Sequence, residues 1–275
     1  MNRILPLIQS LFLALFLGLT LNGCAIFGSP SEIDETKGWQ ADKIYQAGAS
    51  SMIDKDYDKA IKYFQVLESR FPHGKYATQA QLEMMYAQYK KQDPVSTTAA
   101  ADRFIKLHPD HPNVDYAYYM KGLATFSERG VIEKYTGQEI SDRDPKALRQ
   151  SFAALKELTE RYPKSRYAKD ATQRMVYLVN ALAQHEIFVA RYYMNRTAFL
   201  AALNRAKYVL EFYPSSTSVE EALVISVSAY DNMGMEDLKN DNLRVLKTNY
   251  PQNPMVLGKV SEDEKVWWKF WESLY

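Results

Sequence analysis

The sequence predicts an all-α chain, a right-handed α-solenoid of about five stacked helix pairs, and three observations predict it. The first is regular punctuation: Phe71-Pro72, His108-Pro109, Tyr162-Pro163, Tyr213-Pro214 and Tyr250-Pro251 stand 37, 54, 51 and 37 residues apart. The second is an apolar pair at a fixed distance before each proline: Phe64 and Leu67, Ala101 and Phe104, Leu155 and Leu158, Ala206 and Val209, Leu243 and Leu246. That i, i+3 spacing, extended by Ile61, Phe152 and Leu203, marks the buried stripe of an amphipathic helix. Proline lacks an N–H and biases the residue before it away from αR, so each one ends its helix. The third is an alanine eight residues after each of the first four prolines, at Ala80, Ala117, Ala171 and Ala222. No window alternates with period two for long enough to suggest a sheet.

At the N-terminus, Arg3 is the only charge in the first 31 residues, and an apolar run follows from Ile4 to Leu21. Those are the n-region and h-region of a secretory signal. Leu21-Asn22-Gly23-Cys24 has the form of a bacterial lipobox, in which small Gly23 admits a peptidase and the Cys24 thiol takes a diacylglycerol. The competing reading is an uncleaved anchor helix; the sole Cys falling directly after Leu-x-Gly favours the lipoprotein. Residues 1–23 are therefore expected to be a cleaved signal peptide and Cys24 the lipidation site. Ala25, where the inner-membrane retention signal is Asp, implies sorting to the outer membrane. Acyl chains contribute about 0.8 kcal/mol per buried CH2, and several of them anchor firmly. Residues 24–38 are small, polar and turn-rich and read as a flexible tether.

In the first unit, Gly48 supplies a small residue where the partner helix crosses. Asp56-Tyr57-Asp58-Lys59-Ala60 opens the second helix, and Phe64 and Leu67 pack inward before Pro72. This unit resembles the tetratricopeptide pattern. Such a pair cannot bury its apolar face alone, so neighbours must stack. Residues 39–163 are expected to hold the first three repeats and 164–251 the last two, with a Trp-rich C-terminal extension at 252–275. Units of ~34 residues are standard, so the two longer intervals carry insertions. One includes Ser127 to Asp144; the other extends a helix from Tyr167 through Phe188, before a turn around Met194 to Ala198. The last unit has Lys259 where alanine is expected, as suits a capping repeat.

Composition argues against catalysis. The net charge is +1, which gives no case for nucleic acid. One Cys and four His leave little material for a metal site, and no phosphate-cradling glycine run, HExxH or GxSxG is present. His108 and His111 each precede a proline and read as a turn between repeats. The abundant carboxylates read as solvated helix surface. No metal, and no cofactor beyond the covalent lipid on Cys24, is expected.

Three sets of residues are candidates for binding. Ile187 to Leu210 holds Arg191, Arg196, Arg205 and Lys207 and no acidic residue; it is either a solvated basic face or a dock for an acidic protein surface. Tyr63, Tyr86, Tyr89, Tyr116, Tyr118 and Tyr119 are either core packing or, for all but Tyr118, the lining of a groove for a short peptide. Trp267, Trp268 and Trp271 lie in an aromatic run that could fold over the end of the solenoid, anchor a partner or meet a membrane interface.

The run from Asp102 to Tyr116, followed by Tyr119-Met120-Lys121-Gly122-Leu123, resembles the BamD (ComL) family, lipoproteins of the outer-membrane β-barrel assembly machinery. Ser141 to Pro145 and Val189 to Tyr193 are similar to it too, and the likeness extends to about Pro251. The resemblance implies five repeats, anchorage at the periplasmic face of the outer membrane, and no catalysis. It implies that the C-terminal repeats grip the last periplasmic domain of BamA, with Arg205 at the interface arginine. It further implies that the N-terminal repeats receive unfolded outer-membrane proteins and bind an extended stretch of a BamC-like lipoprotein, with BamE-like lipoproteins among the partners. Thr197 stands where some relatives carry Gly, and the Trp-rich extension is absent from others. A periplasmic repeat adaptor coordinating cell-wall synthesis is the rival function; it shares the repeats but not the Asp102–Tyr116 block.

Overall fold

A computed structural model describes residues 35–126 and 145–258. Cys24, the Ser127–Asp144 insertion, Lys259, Trp267, Trp268 and Trp271 lie outside the described residues. Within them the chain forms helices α1 (Ala41–Ile53), α2 (Tyr57–Arg70), α3 (Lys75–Lys90), α4 (Pro94–Leu107), α5 (Val114–Thr125), α6 (Pro145–Arg161), α7 (Ala168–Asn195), α8 (Phe199–Phe212), α9 (Val219–Asn232) and α10 (Glu236–Asn249). No strand occurs among the described residues. Each helix packs on the next, and α1 also touches α3, α3 touches α5, and α7 touches α9. First helices of successive pairs thus lie side by side, the packing of a tetratricopeptide-like solenoid. The all-α expectation is borne out.

The repeat is visible in its turns. At all five aromatic–proline junctions the aromatic residue donates its N–H to the carbonyl four residues back, at 2.7–2.9 Å. Its own carbonyl then accepts from the residue three ahead, at Gly74, His111, Ser165, Ser216 and Asn253. The turns inside four pairs are equally uniform: Lys55, Gln92, Thr197 and Gly234 adopt φ of 60°, 59°, 56° and 70°. A left-handed residue just past the helix end lets the next N–H reach back to an orphan carbonyl. After two of these turns, Asp56 and Asp93 cap the following helix by accepting from the Lys59 and Ser96 N–H groups. Thr197, with its branched Cβ, is the most strained of the four.

Packing follows a size rule. A Cβ built on Gly48 would lie 2.5 Å from the Phe64 ring, and one on Gly122 would lie 2.4 Å from Leu155. Phe64 and Leu155 occupy equivalent places, eight residues before Pro72 and Pro163, and in these two units the large side chain is seated against a glycine. In the second unit that place holds Ala101, and Met85 is fully buried in the same cluster. Ala60, Ala80, Ala117, Ala171 and Ala222 are all completely buried. The core clusters cross unit boundaries: one joins Ile44 of α1, Phe64 of α2 and Ala80 of α3. α10, the last helix of the described residues, buries only Leu246 fully.

α7 outruns the sequence reading. The extension continues beyond Phe188 as one unbroken helix of 28 residues to Asn195. No glycine or proline interrupts Tyr167 to Asn195, so nothing stops the helix until the Thr197 turn.

Candidate partner-binding surfaces

The first surface is a tyrosine-lined recess of about 240 Å³, formed where α3, α5 and the start of α7 come together; its walls include Gln79, Leu82, Glu83, Asn113, Tyr116, Arg166 and Tyr167. Tyr167 is its hub. Its ring stacks on Tyr119 with centroids 4.7 Å apart and tilts against Tyr116 at 5.7 Å, while the Arg166 guanidinium lies over it at 4.8 Å. The Tyr119 hydroxyl donates to Asp170 Oδ2 at 2.6 Å, and Arg174 Nε donates to the same oxygen at 2.6 Å. Burial disfavours ionisation of Asp170, but the bonds from Arg174 and Tyr119 outweigh it and hold the carboxyl below its ordinary value. Burial, then the bond to Asp170, pushes the Tyr119 hydroxyl up to about 12. Burial and the neighbouring Tyr167 raise Tyr116 strongly as well. These hydroxyls are therefore neutral hydrogen-bonding groups in any physiological medium.

The five groove tyrosines do not all meet. Tyr116 lines the recess, Tyr119 backs it through its stack on Tyr167, and exposed Tyr86, with Lys90 over its ring, sits on α3 beside it. Tyr89 tilts against Tyr86 and packs partly into the core. Tyr63 lies apart: it is buried in the first unit, stacks with Trp39 and donates to Glu35 at 2.8 Å. Tyr118 is buried beside Tyr162.

The second surface is the α7–α8 corner, where the structure gives the basic residues different partners. Arg191 makes a bidentate pair with Glu221 of α9, at 2.6 and 2.7 Å. Arg205 donates to Glu186 of α7 at 3.0 Å; Glu186 is buried, with a side chain only 6% exposed, whereas that of Arg205 is 46% exposed. Lys207 reaches over the Tyr230 ring and Arg196 over Tyr192. A segment free of acids in sequence is thus partly neutralised across space. Arg205 does double duty, satisfying a carboxylate that would be costly to bury unpaired while keeping part of its guanidinium in solvent. His108 and His111 pack their rings on Phe104, and His108 Nε2 lies 3.1 Å from Gln81 Oε1.

Sequence reasoning passed over Tyr167, Asp170, Arg174, Glu186 and Glu221. The helical spacing of Asp170 and Arg174 was the one local signal available; the rest depend on contacts between distant segments.

Comparison with known proteins fixes the class. A family model described as an outer membrane lipoprotein (YfiO) matches residues 38–246. A protein of Neisseria meningitidis named outer membrane protein assembly factor BamD is 42% identical over 265 residues, covering 96% of this chain and 99% of the relative. The chain belongs to this family. BamD proteins of Xylella fastidiosa and Vibrio cholerae are 35% and 32% identical, covering 81% and 82% of this chain and 76% and 93% of their own lengths. The family match takes in both surfaces, the tyrosine recess and the α7–α8 corner. Among the described residues no helix is long and apolar enough to cross a membrane.

Proposed function

We propose that this chain is a non-catalytic scaffold of the outer-membrane β-barrel assembly machinery, held to the periplasmic face of the membrane by lipid on Cys24. In this reading its C-terminal repeats bind the periplasmic part of BamA, and its N-terminal repeats help receive unfolded outer-membrane proteins. BamC-like and BamE-like lipoproteins are its further partners. The observation that carries the reading is the near full-length similarity to the Neisseria assembly factor. The half-exposed Arg205 supports the first contact, because a fixed guanidinium suits a partner carboxylate. The tyrosine recess supports the second, because aromatic walls with amide and charged rims suit an extended peptide.

The experiment is affinity purification of the lipidated chain from membranes, with binding to the purified periplasmic domain of BamA measured in parallel. Recovery of BamA, and weaker binding by Arg205→Ala combined with Glu186→Gln, are expected. That pairing removes the guanidinium without stranding a buried charge. Absence of BamA from the purified complex would overturn the reading. For the anchor, Cys24→Ser should abolish labelling by a fatty acid, and labelling of the variant would refute acylation at that residue.

A further inference from the structure

The second helices of successive pairs flank grooves floored by the first helix between them, and the two ends of the solenoid furnish these grooves differently. Between α2 and α4 the groove is polar, with Gln65, Glu68, Gln81, Gln88, Ser96 and Arg103 along it. Counted from the corresponding prolines, the groove between α8 and α10 has Lys207, Leu210, Leu223, Tyr230, Leu238 and Val245 in those places. The equivalence holds in space: Lys207 and Tyr230, the counterparts of Gln65 and Gln88, meet where the ammonium reaches over the ring. Every place but that of Lys207 is thus apolar or aromatic. The outer wall of this groove is open. Leu238 and Val245 are 45% and 43% exposed, and their separation of seven residues is about 10 Å along the helix. α2, α4, α6 and α8 each pack between two helices, whereas among the described residues α10 packs closely only on α9. The place eight residues before the proline is fully buried at Phe64, Ala101, Leu155 and Ala206 but only partly buried at Leu243.

Residues 259–275 follow this helix directly and lie outside the described residues. Their sequence predicts a helix from Glu262 to Tyr275: Ser261 and Glu264 have the spacing of a capping box, and no glycine or proline follows. Val266, Trp267, Phe270, Trp271 and Leu274 fall on one face of it, and Lys265, Lys269 and Glu272 on the other. A helix so short is marginal in water unless its apolar face has a surface to lie on. We propose that residues 259–275 fold back as a helix antiparallel to α10 and fill the apolar groove between α8 and α10. Reach and spacing select this occupant. The chain leaves the C-terminal end of α10 through turns at residues 250–258, so a returning helix meets Val245 first and Leu238 second. Trp267 and Leu274 stand seven residues apart as well, which matches the separation of about 10 Å on α10. Charge is not the selector. The rim carries Lys207 and Glu211 on α8 and Asp241, paired with Arg244 at 2.9 Å, on α10. Residues 259–275 hold three lysines against four acids, which also leaves no basic excess of the kind that holds an interfacial helix on anionic lipid. The proposal is independent of the partners named above.

The test uses the full chain carrying Cys24→Ser, which removes its one native thiol. Two cysteine pairs, Val245→Cys with Trp267→Cys and Leu238→Cys with Leu274→Cys, should each close a disulfide under mild oxidation, read as loss of both thiols to maleimide labelling in monomeric protein. Val176→Cys with Trp267→Cys, which sets an exposed position of α7 against the same tail residue, should stay free. Trp267, Trp268 and Trp271 are three of the four tryptophans, so emission reports on this segment and should be shielded from acrylamide. Leu238→Glu combined with Val245→Glu alters only exposed positions, should leave the thermal unfolding transition in place, and should shift the emission to the red and admit the quencher. If either designed pair stays free, or the control pair closes as readily, the proposal is overturned. It is equally overturned if the double glutamate variant keeps its tryptophans shielded, which places them elsewhere. Shielding that develops only on adding phosphatidylglycerol vesicles would assign the segment to lipid, and shielding that depends on protein concentration would assign it to a second copy; either result overturns the intramolecular contact.

Discussion

The tyrosine recess and the aromatic pair Tyr208 and Phe212 on α8 are built from the same residue types and use them differently. Behind the recess, Tyr119, Asp170 and Arg174 satisfy one another, and Tyr167 stacks on its neighbours, so the groups that back the surface also tie α5 to α7. On α8, Tyr208 and Phe212 brace each other, and Phe212 leaves more than half its surface in water. Arg205 stands between these extremes, committed inward to Glu186 yet half-exposed. The lesson is that an aromatic or an arginine is marked for binding by what it has left over once the fold is satisfied. Substitutions behind the recess should therefore cost stability, and Phe212→Ala should cost little.

The sharpest way to probe that contrast is Arg205→Glu, which sets a second carboxylate against buried Glu186. A loss of about 3 kcal/mol in urea unfolding is expected, with most of it recovered when Glu186→Gln is added; no recovery would mean that Glu186 is not the reason. Next, Asp170→Ala removes the acceptor of three hydrogen bonds behind the recess and should cost about 2 kcal/mol, whereas Phe212→Ala should change stability by no more than about 0.5 kcal/mol. Equal costs would erase the distinction between the surfaces. A further effect is expected at high pH. The folded chain holds the Tyr119 proton up to about 12, while the unfolded chain releases it near 10. The folded state therefore binds more protons across that window, and stability should fall as pH rises through it. Tyr119→Phe should flatten part of that slope, the other raised tyrosines keeping the remainder; an unchanged slope would remove Tyr119 from the account. Smallest is Thr197→Gly, which relieves a β-branched residue at φ 56° and should stabilise by about 0.5 kcal/mol, read as a rise in thermal midpoint.

Much of the fold was legible because it is written locally. Aromatic–proline pairs stop helices whatever surrounds them, and the residues eight and five positions before each proline fell on the buried face in the first four units. Gly48 announced a close crossing, and Phe64 fills it. What the sequence could not show was partnership over distance. Arg191 and Glu221 are 30 residues apart, and Tyr119 and Asp170 are 51 apart; nothing local tells that they meet. For the same reason Tyr63 and Tyr116 looked like members of one set, although their burial and neighbours differ. The Phe188 boundary was underestimated because an amphipathic stripe can rotate along a long helix. Buried α7 residues follow one face at Ala171, Leu178 and Leu182 and another at Ile187, Ala190 and Met194, so a fixed periodic template loses the helix half-way.

That rotating stripe has a mechanical consequence. Asp170, which fastens the recess, and Glu186, which holds Arg205, are carried on one uninterrupted rod, sixteen residues or about 24 Å apart at 1.5 Å per residue. Because no glycine or proline interrupts the rod, the fastening point of the recess and the anchor of Arg205 are held at a fixed spacing along one helix.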